Sequence, residues 1–351
     1  MPQVANRTIT ASGMIVSAVL VIGMLSVASS VFAPVAFALF IMALVWPVQK
    51  KLEASLPRAV AVLAAFLLVV LAVLGLGFLI AWSFGQVARY LMGDAARLQQ
   101  FYELVRHWLE ERGIVVSMIW SETFGVSSML RTIQTISIRL NSAFSFWLVA
   151  LVYVLLGLLE VGDLASRIRK LRDPLTSQML IEGARETARK IRSYMLIRTI
   201  MSVVTGILIW LFALIVGLPL AEEWGFIGFA LNYIPFIGPF VATLAPTMLA
   251  LTQFDTWGAV IAVFVGLNLI QMIGGSYIEP RVSGSALSIS PVLVLFSVFL
   301  WGYLWGFFGA FIGVPIMIAV LTFCGQHPSS RWVATIFGAG DGDQPGPAPA
   351  T

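Results

Sequence analysis

Seven stretches of this sequence contain no lysine, arginine, aspartate or glutamate: 8–49, 59–88, 140–159, 199–221, 224–254, 256–278 and 282–326. The shortest is 20 residues long, and about 20 apolar residues in a helix cross the roughly 30 Å hydrocarbon core of a bilayer. A buried helix of a soluble protein rarely reaches that length, and seven such runs in one chain have no soluble explanation. Charged residues are only 11% of the 351 positions, against about 25% in an ordinary soluble domain, so a water-facing surface of normal polarity cannot be built. The alternating segments of about ten residues that mark outer-membrane strands are absent. The sequence therefore describes an all-α polytopic membrane protein.

The first charge-free block is too long for one helix and is expected to break at Ser29, Ser30 and Pro34, giving spans near 11–29 and 32–48. Further spans are expected near 60–83, 142–159, 198–217, 224–251, 257–274 and 291–323, about eight in all. The apolar run after Arg7 continues past signal-peptide length, so it reads as an uncleaved first span. Residues 1–325 form one integral membrane domain in this reading, with an external helical segment at 87–140 and a cytoplasmic amphipathic segment at 161–198. The tail at 326–351 reads as cytoplasmic and partly disordered.

Orientation follows from lysine and arginine in the short flanks. Lys50, Lys51 and Arg58 follow the second span, and a dense set from Arg167 to Arg198 precedes the fifth. Both segments are expected in the cytoplasm of a bacterial inner membrane, with the amino terminus also inside. The intervening segment carries Asp94, Glu103, Glu110, Glu111 and Glu122 among its arginines and is expected outside. Within it Val87, Leu91, Leu98, Phe101, Val105 and Trp108 recur at helical spacing. The Arg167–Arg198 cluster can bind anionic lipid, although positive-inside anchoring is the plainer account of it. If 224–251 crosses fully the carboxyl terminus is inside; if it turns back, the terminus is outside.

Catalysis finds no footing. The two histidines, His107 and His327, lie outside the spans, Cys324 is the single cysteine, and no nucleophile elbow, zinc-binding histidine pair or phosphate-binding loop occurs. No catalytic residue, cofactor or metal-ligand set is read from the chain, and its basic residues flank spans rather than forming a nucleic-acid surface. What remains is movement of a solute.

Two broken apolar segments are where such movement is expected. Asn232-Tyr233-Ile234-Pro235-Phe236-Ile237-Gly238-Pro239-Phe240, continuing to Pro246, cannot run as a straight helix. Backbone groups freed at membrane depth are tolerated only where protein buries them or where they line a wet cavity, and broken helices are where many transporters bind substrate. Asn232, Tyr233, Pro235, Gly238 and Pro239, with Asn268 and Gln271 of the next span, are the substrate-path candidates. The second segment opens Glu279-Pro280-Arg281-Val282. Asp255, Glu279, Pro280 and Arg281 are the gate or coupling candidates, with an interfacial ion pair as the plain alternative for Glu279 and Arg281. Gly302, Gly306, Gly309, Gly313 and Pro315 follow, at spacings that allow close helix packing.

These residues carry a resemblance. The run at 232–240, then Glu279-Pro280-Arg281-Val282 with Gly284, Leu287 and Pro291, then the glycine ladder ending Gly313-Val314-Pro315, resembles the autoinducer-2 exporter (AI-2E) family of PerM-like permeases over about residues 10–325. The resemblance implies a permease that exports the quorum-sensing signal autoinducer-2, or in some members exchanges sodium or lithium for protons. It also implies both termini in the cytoplasm and assembly as a homo-oligomer in membrane lipid. Neutral polar groups such as Asn232, Asn268, Gln271 and Ser276 suit an uncharged, hydroxyl-rich solute. Antiport, coupled to a proton or sodium, wants a carboxylate within the membrane, and the charge-free blocks hold none. A non-transporting membrane scaffold is the third reading.

Overall fold

The computed structural model describes residues 13, 16–17, 19–93, 103, 110–112, 126–254, 256–278, 281, 289–327 and 330–338 (126–142 and 276 by backbone). Its named elements are helices: α1 Ser29–Glu53, α2 Arg58–Gly93, α3 Val126–Arg169, α4 Pro174–Val216, α5 Ala221–Leu231, α6 Ile237–Gln253, α7 Trp257–Met272 continuing as a π-helical turn Ile273–Ile278, α8 Pro291–Gln326 and α9 Arg331–Phe337. Among the described residues six helical stretches are long and apolar enough to cross a bilayer: Ser29–Glu53, Arg58–Gly93, Ala143–Arg169, Pro174–Val216, Trp257–Gly275 and Pro291–Gln326. Leu63, Leu67, Leu71, Leu74 and Phe78 form an exposed stripe along α2, a surface that soluble proteins avoid and lipid tails cover. The fold is that of an all-α polytopic membrane protein.

The chain forms two compact units, one from 1–62, 146–191 and 288–351, the other from 63–145 and 192–287. In the first, Phe37 of α1 is buried and ringed by Trp147 at 5.1 Å, Phe146 at 5.5 Å and Phe311 at 5.8 Å, while Phe146 stacks on Phe308 at 3.9 Å. Offset and edge-on ring contacts of this kind add about 0.5–1.5 kcal/mol each beyond area burial. Polar side chains tie the helix ends together. Gln49, fully buried, donates to the Leu158 carbonyl at 3.3 Å, and Arg58 donates to the Leu159 carbonyl at 2.5 Å. Trp305 Nε1 donates to the Leu25 carbonyl at 3.0 Å, beside the turn at Ala28 that precedes α1.

That turn at Ala28 is where the first apolar block breaks, and Pro34 lies inside α1 rather than at a break. The bond Pro34 cannot make is to Ser30, only two residues past the turn, so little helix is lost. Of the expected first span, 19–27 is helical and 11–12, 14–15 and 18 lie outside the described residues. Most of 94–125 and the tail after 338 also lie outside them.

Neither broken segment is a single straight span. The stretch 224–251 is divided between α5 and α6 by a turn at 232–236. The 11 residues of α5 rise only about 16 Å, too short to cross. In the stretch 291–323, Gly306 takes φ 65° and ψ −144° inside α8, a backbone state essentially confined to glycine. The chain reverses there. A Cβ on Gly313 would lie 2.8 Å from the Ser297 carbonyl oxygen, and one on Gly309 would collide with the carbonyl of Trp301. The contacting pairs step away from the reversal evenly on both sides, so 291–305 and 307–326 are the two antiparallel arms of a hairpin. The uncharged run hid this reversal because lipid-facing and partner-facing residues are equally apolar.

The second unit is built around α4. Its core contains Ile209 and Ala213 of α4, Trp224 and Ile227 of α5, Leu249 and Ala250 of α6, and Val263 and Leu267 of α7, with Val87 of α2. Glycines bring the backbones close: a Cβ on Gly206 would sit 2.8 Å from the Gly225 carbonyl oxygen, and one on Gly266 would collide with the Phe212 ring.

Candidate solute site at the α5–α6 break

Three residues of α4, Thr199, Ser202 and Thr205, recur every third position and so lie along one strip of the helix. Ser202 and Thr205 are buried. The α5–α6 turn meets this strip: Asn232 Nδ2 donates to Ser202 Oγ at 3.3 Å, and the Tyr233 hydroxyl donates to Thr199 Oγ1 at 3.0 Å. The π-helical turn after α7 reaches the same strip, with the Cβ position of Gly274 3.5 Å from Thr205 Oγ1. Single π turns disturb the regular hydrogen-bond ladder and recur at functional sites.

The turn itself is strained. Phe236 has φ 63° and ψ −52°, and the Ile237 amide donates to the Pro235 carbonyl at 2.7 Å. These make a γ-turn with its central residue at positive φ, the rarer and costlier hand. A bulky residue held there costs of order 1–3 kcal/mol, and such strain clusters at binding sites. Two features impose it. Pro235 and Pro239 cannot donate backbone hydrogen bonds, and Gly238 lies so close to the Leu231 carbonyl that a Cβ would collide with it. The Pro239 carbonyl is satisfied by the Thr243 hydroxyl at 2.9 Å.

The sequence-read candidates divide at this point. Asn232, Tyr233, Pro235, Gly238 and Pro239 come together at the break. Gln271 lies one turn before Gly274, and its Nε2 is buried without a hydrogen-bond partner among the described residues. Asn268 is exposed and donates to the Phe264 carbonyl of its own helix at 2.8 Å, so it does not join the break. Arg281 is exposed and stacks over the Tyr277 ring at 4.0 Å. Asp255, Glu279 and Pro280 lie outside the described residues. In α8, Gly302 faces Ala310 Cβ at 3.5 Å, and Pro315 is buried within the second arm.

Three features escaped the sequence reading. The hydroxyl strip on α4 is legible as a three-residue repeat within an apolar span. The strain at Phe236 has no composition signal. Glu223, placed in a loop by its charge, is instead in the first turn of α5 with only 7% of its surface exposed.

The apolar helices long enough to cross a bilayer define a polytopic integral membrane protein. Comparison with known proteins gives the family: a model of the AI-2E family transporters matches residues 15–328, and the chain belongs to that family. It is 27% identical to the AI-2 transport protein TqsA of Escherichia coli K12 over 342 residues, 95% of this chain and 98% of that protein. It is 28% identical to the putative transport protein YhhT of the same strain over 178 residues, 50% of each chain. A putative transport protein of Borreliella burgdorferi is 29% identical over 172 residues, 48% of this chain and 47% of that one.

Proposed function

We propose that the protein exports a small, uncharged polar solute and that the α5–α6 break on the α4 hydroxyl strip is where the solute is held. The observation that carries this is the buried Asn232–Ser202 pair beside a strained γ-turn, in a largely apolar core. Amide and hydroxyl groups exchange hydrogen bonds with a hydroxyl-rich solute at little net cost, whereas a charged solute would go unpaired among them. AI-2, the solute in the name of the E. coli relative, is the first to try. In proteoliposomes, Asn232→Ala is expected to slow its efflux at least tenfold, with Gly302→Ala near wild type. Equal rates in all three would remove the break from the path.

The hairpins also bear on orientation. If each returns to the side it starts from, the first span, α1, α2, α3, α4 and α7 make six crossings, and both termini share one side. Arg281 and Arg331 then join Lys50, Lys51, Arg58 and the Arg167–Arg198 cluster on that side. The positive-inside rule assigns it to the cytoplasm, which agrees with an inner-membrane location.

A second reading, ion-coupled exchange, is favoured by Glu223. Only 7% of this residue is exposed, and its carboxylate makes no hydrogen bond or ion pair among the described residues; proton-coupled carriers use acids set into apolar spans. Proton movement that accompanies flux and vanishes in Glu223→Gln would establish it; flux independent of the pH gradient would remove it.

A further inference from the structure

The turn between α3 and α4 has no part in the solute site. Ala143–Arg169 is 27 residues of helix, about 40 Å long, against a hydrocarbon core of about 30 Å. Its far end therefore reaches headgroup level. Four cations crowd that end: Arg167, Arg169, Lys170 and Arg172, all exposed. None of the four side chains makes a hydrogen bond or ion pair among the described residues. The two acids nearest in sequence are occupied, while Glu182 lines the same cavity as Arg169. Asp173 accepts the Leu175 amide at 3.2 Å, the Thr176 amide at 3.3 Å and the Thr176 hydroxyl, capping α4. Asp163 lies 3.7 Å from Arg58.

Charge is half of the pattern. Leu164, Leu171 and Leu175, interleaved with the cations, are 55%, 44% and 71% exposed. A solvated loop has no use for leucines at those exposures. A segment at a membrane interface does, because leucines enter the acyl boundary while cations meet phosphates. Lysine and arginine also carry long apolar stems that lie along such a boundary with the charge uppermost.

We propose that the α3–α4 turn is a docking surface for anionic phospholipid, with Arg167, Arg169, Lys170 and Arg172 on the lipid phosphates and Leu164, Leu171 and Leu175 among the upper acyl chains. Anionic lipid beside such a segment is attracted by every cation and released as salt screens it. Positive-inside anchoring alone would require no lipid selectivity, so the two accounts separate experimentally.

The test is native mass spectrometry of the full-length protein in detergent, titrated with phosphatidylglycerol and, separately, with phosphatidylcholine. Wild type is expected to retain phosphatidylglycerol at least tenfold better than phosphatidylcholine, with the preference falling severalfold between 50 and 500 mM salt. The quadruple variant Arg167→Gln, Arg169→Gln, Lys170→Gln, Arg172→Gln should lose most of the preference. The triple variant Arg167→Lys, Arg169→Lys, Arg172→Lys should keep it. If the quadruple variant does not fold, the wild-type salt series and the lysine variant decide. No preference in wild type, a preference insensitive to salt, its survival in the quadruple variant, or its loss in the lysine variant would each overturn the proposal.

Discussion

Two helical breaks in the carboxyl half interrupt apolar runs of similar composition, yet they reverse the chain by different means. The α8 hairpin turns on one glycine, and its arms close through Gly309 against the Trp301 carbonyl and Gly313 against the Ser297 carbonyl. The buried hydroxyls there turn back to their own helix: Ser297 donates to the Leu293 carbonyl at 2.7 Å and Thr322 to the Ile318 carbonyl at 2.7 Å, while the Trp305 indole reaches the Leu25 carbonyl at 3.0 Å. The α5–α6 break spends five residues on its turn, strains Phe236, and sends Asn232 and Tyr233 out to hydroxyls on α4. The glycine reversal keeps its hydroxyls bonded within their own arms and serves packing. A proline-flanked reversal exposes polar groups that something else must satisfy, which is the property a solute site needs.

Substitutions that separate packing from solute binding sharpen this contrast. The largest effect is expected for Gly309→Ala, where a Cβ meets backbone that cannot swing aside. Overpacking of that kind costs about 1–3 kcal/mol or more, and a fall of several degrees in the detergent melting temperature should show it. Asn232→Ala should cost about 1–3 kcal/mol, since it leaves a buried hydroxyl short of a partner, while its main effect is on flux. A melting temperature that falls without any loss of flux would make the α5–α6 break a packing feature like the other. Gly302→Ala should be neutral or stabilise by up to about 1 kcal/mol, because the new methyl finds Ala310 at ordinary contact distance and alanine favours helix over glycine. Destabilisation there would mean the α8 arms lie closer than described.

The smallest effect lies outside both breaks. The Thr176 hydroxyl, then the Leu175 amide, hold the Asp173 carboxyl below its usual range. Its capping contribution is complete above the ordinary aspartate range and lost as pH falls through the lowered value. A slight drop in melting temperature on acidification, absent in Asp173→Asn, is expected.

What the sequence made legible follows from its physics. Uncharged runs long enough for a bilayer announce spans, so the helical membrane fold was readable. Proline beside glycine announces breaks, so 232–240 and the segment opening at Glu279 stood out, whereas the glycines of 302–313 read as packing positions. Direction after a break was not readable, because apolar residues suit both a neighbouring helix and lipid. For that reason 224–251 suited either a crossing or a re-entrant turn, and 291–323 looked like a single span. Ser202 and Thr205 were missed because hydroxyls are common in apolar spans and cost little there, usually bonding back to their own helix. Glu223 was missed because a charge next to an apolar run was assigned to the loop it borders.

The central claim is that solute reaches the α5–α6 break and not the α8 hairpin. In a Cys324→Ser background, Ser202→Cys and Ser297→Cys place thiols at two positions that are both fully buried, one in each region. The rate of modification by a water-soluble maleimide, with and without solute, tests the claim directly. The account predicts that the thiol at 202 is modified during transport and protected by solute, while the thiol at 297 stays inert in both conditions. Equal behaviour of the two thiols, or protection at 297 alone, would contradict it.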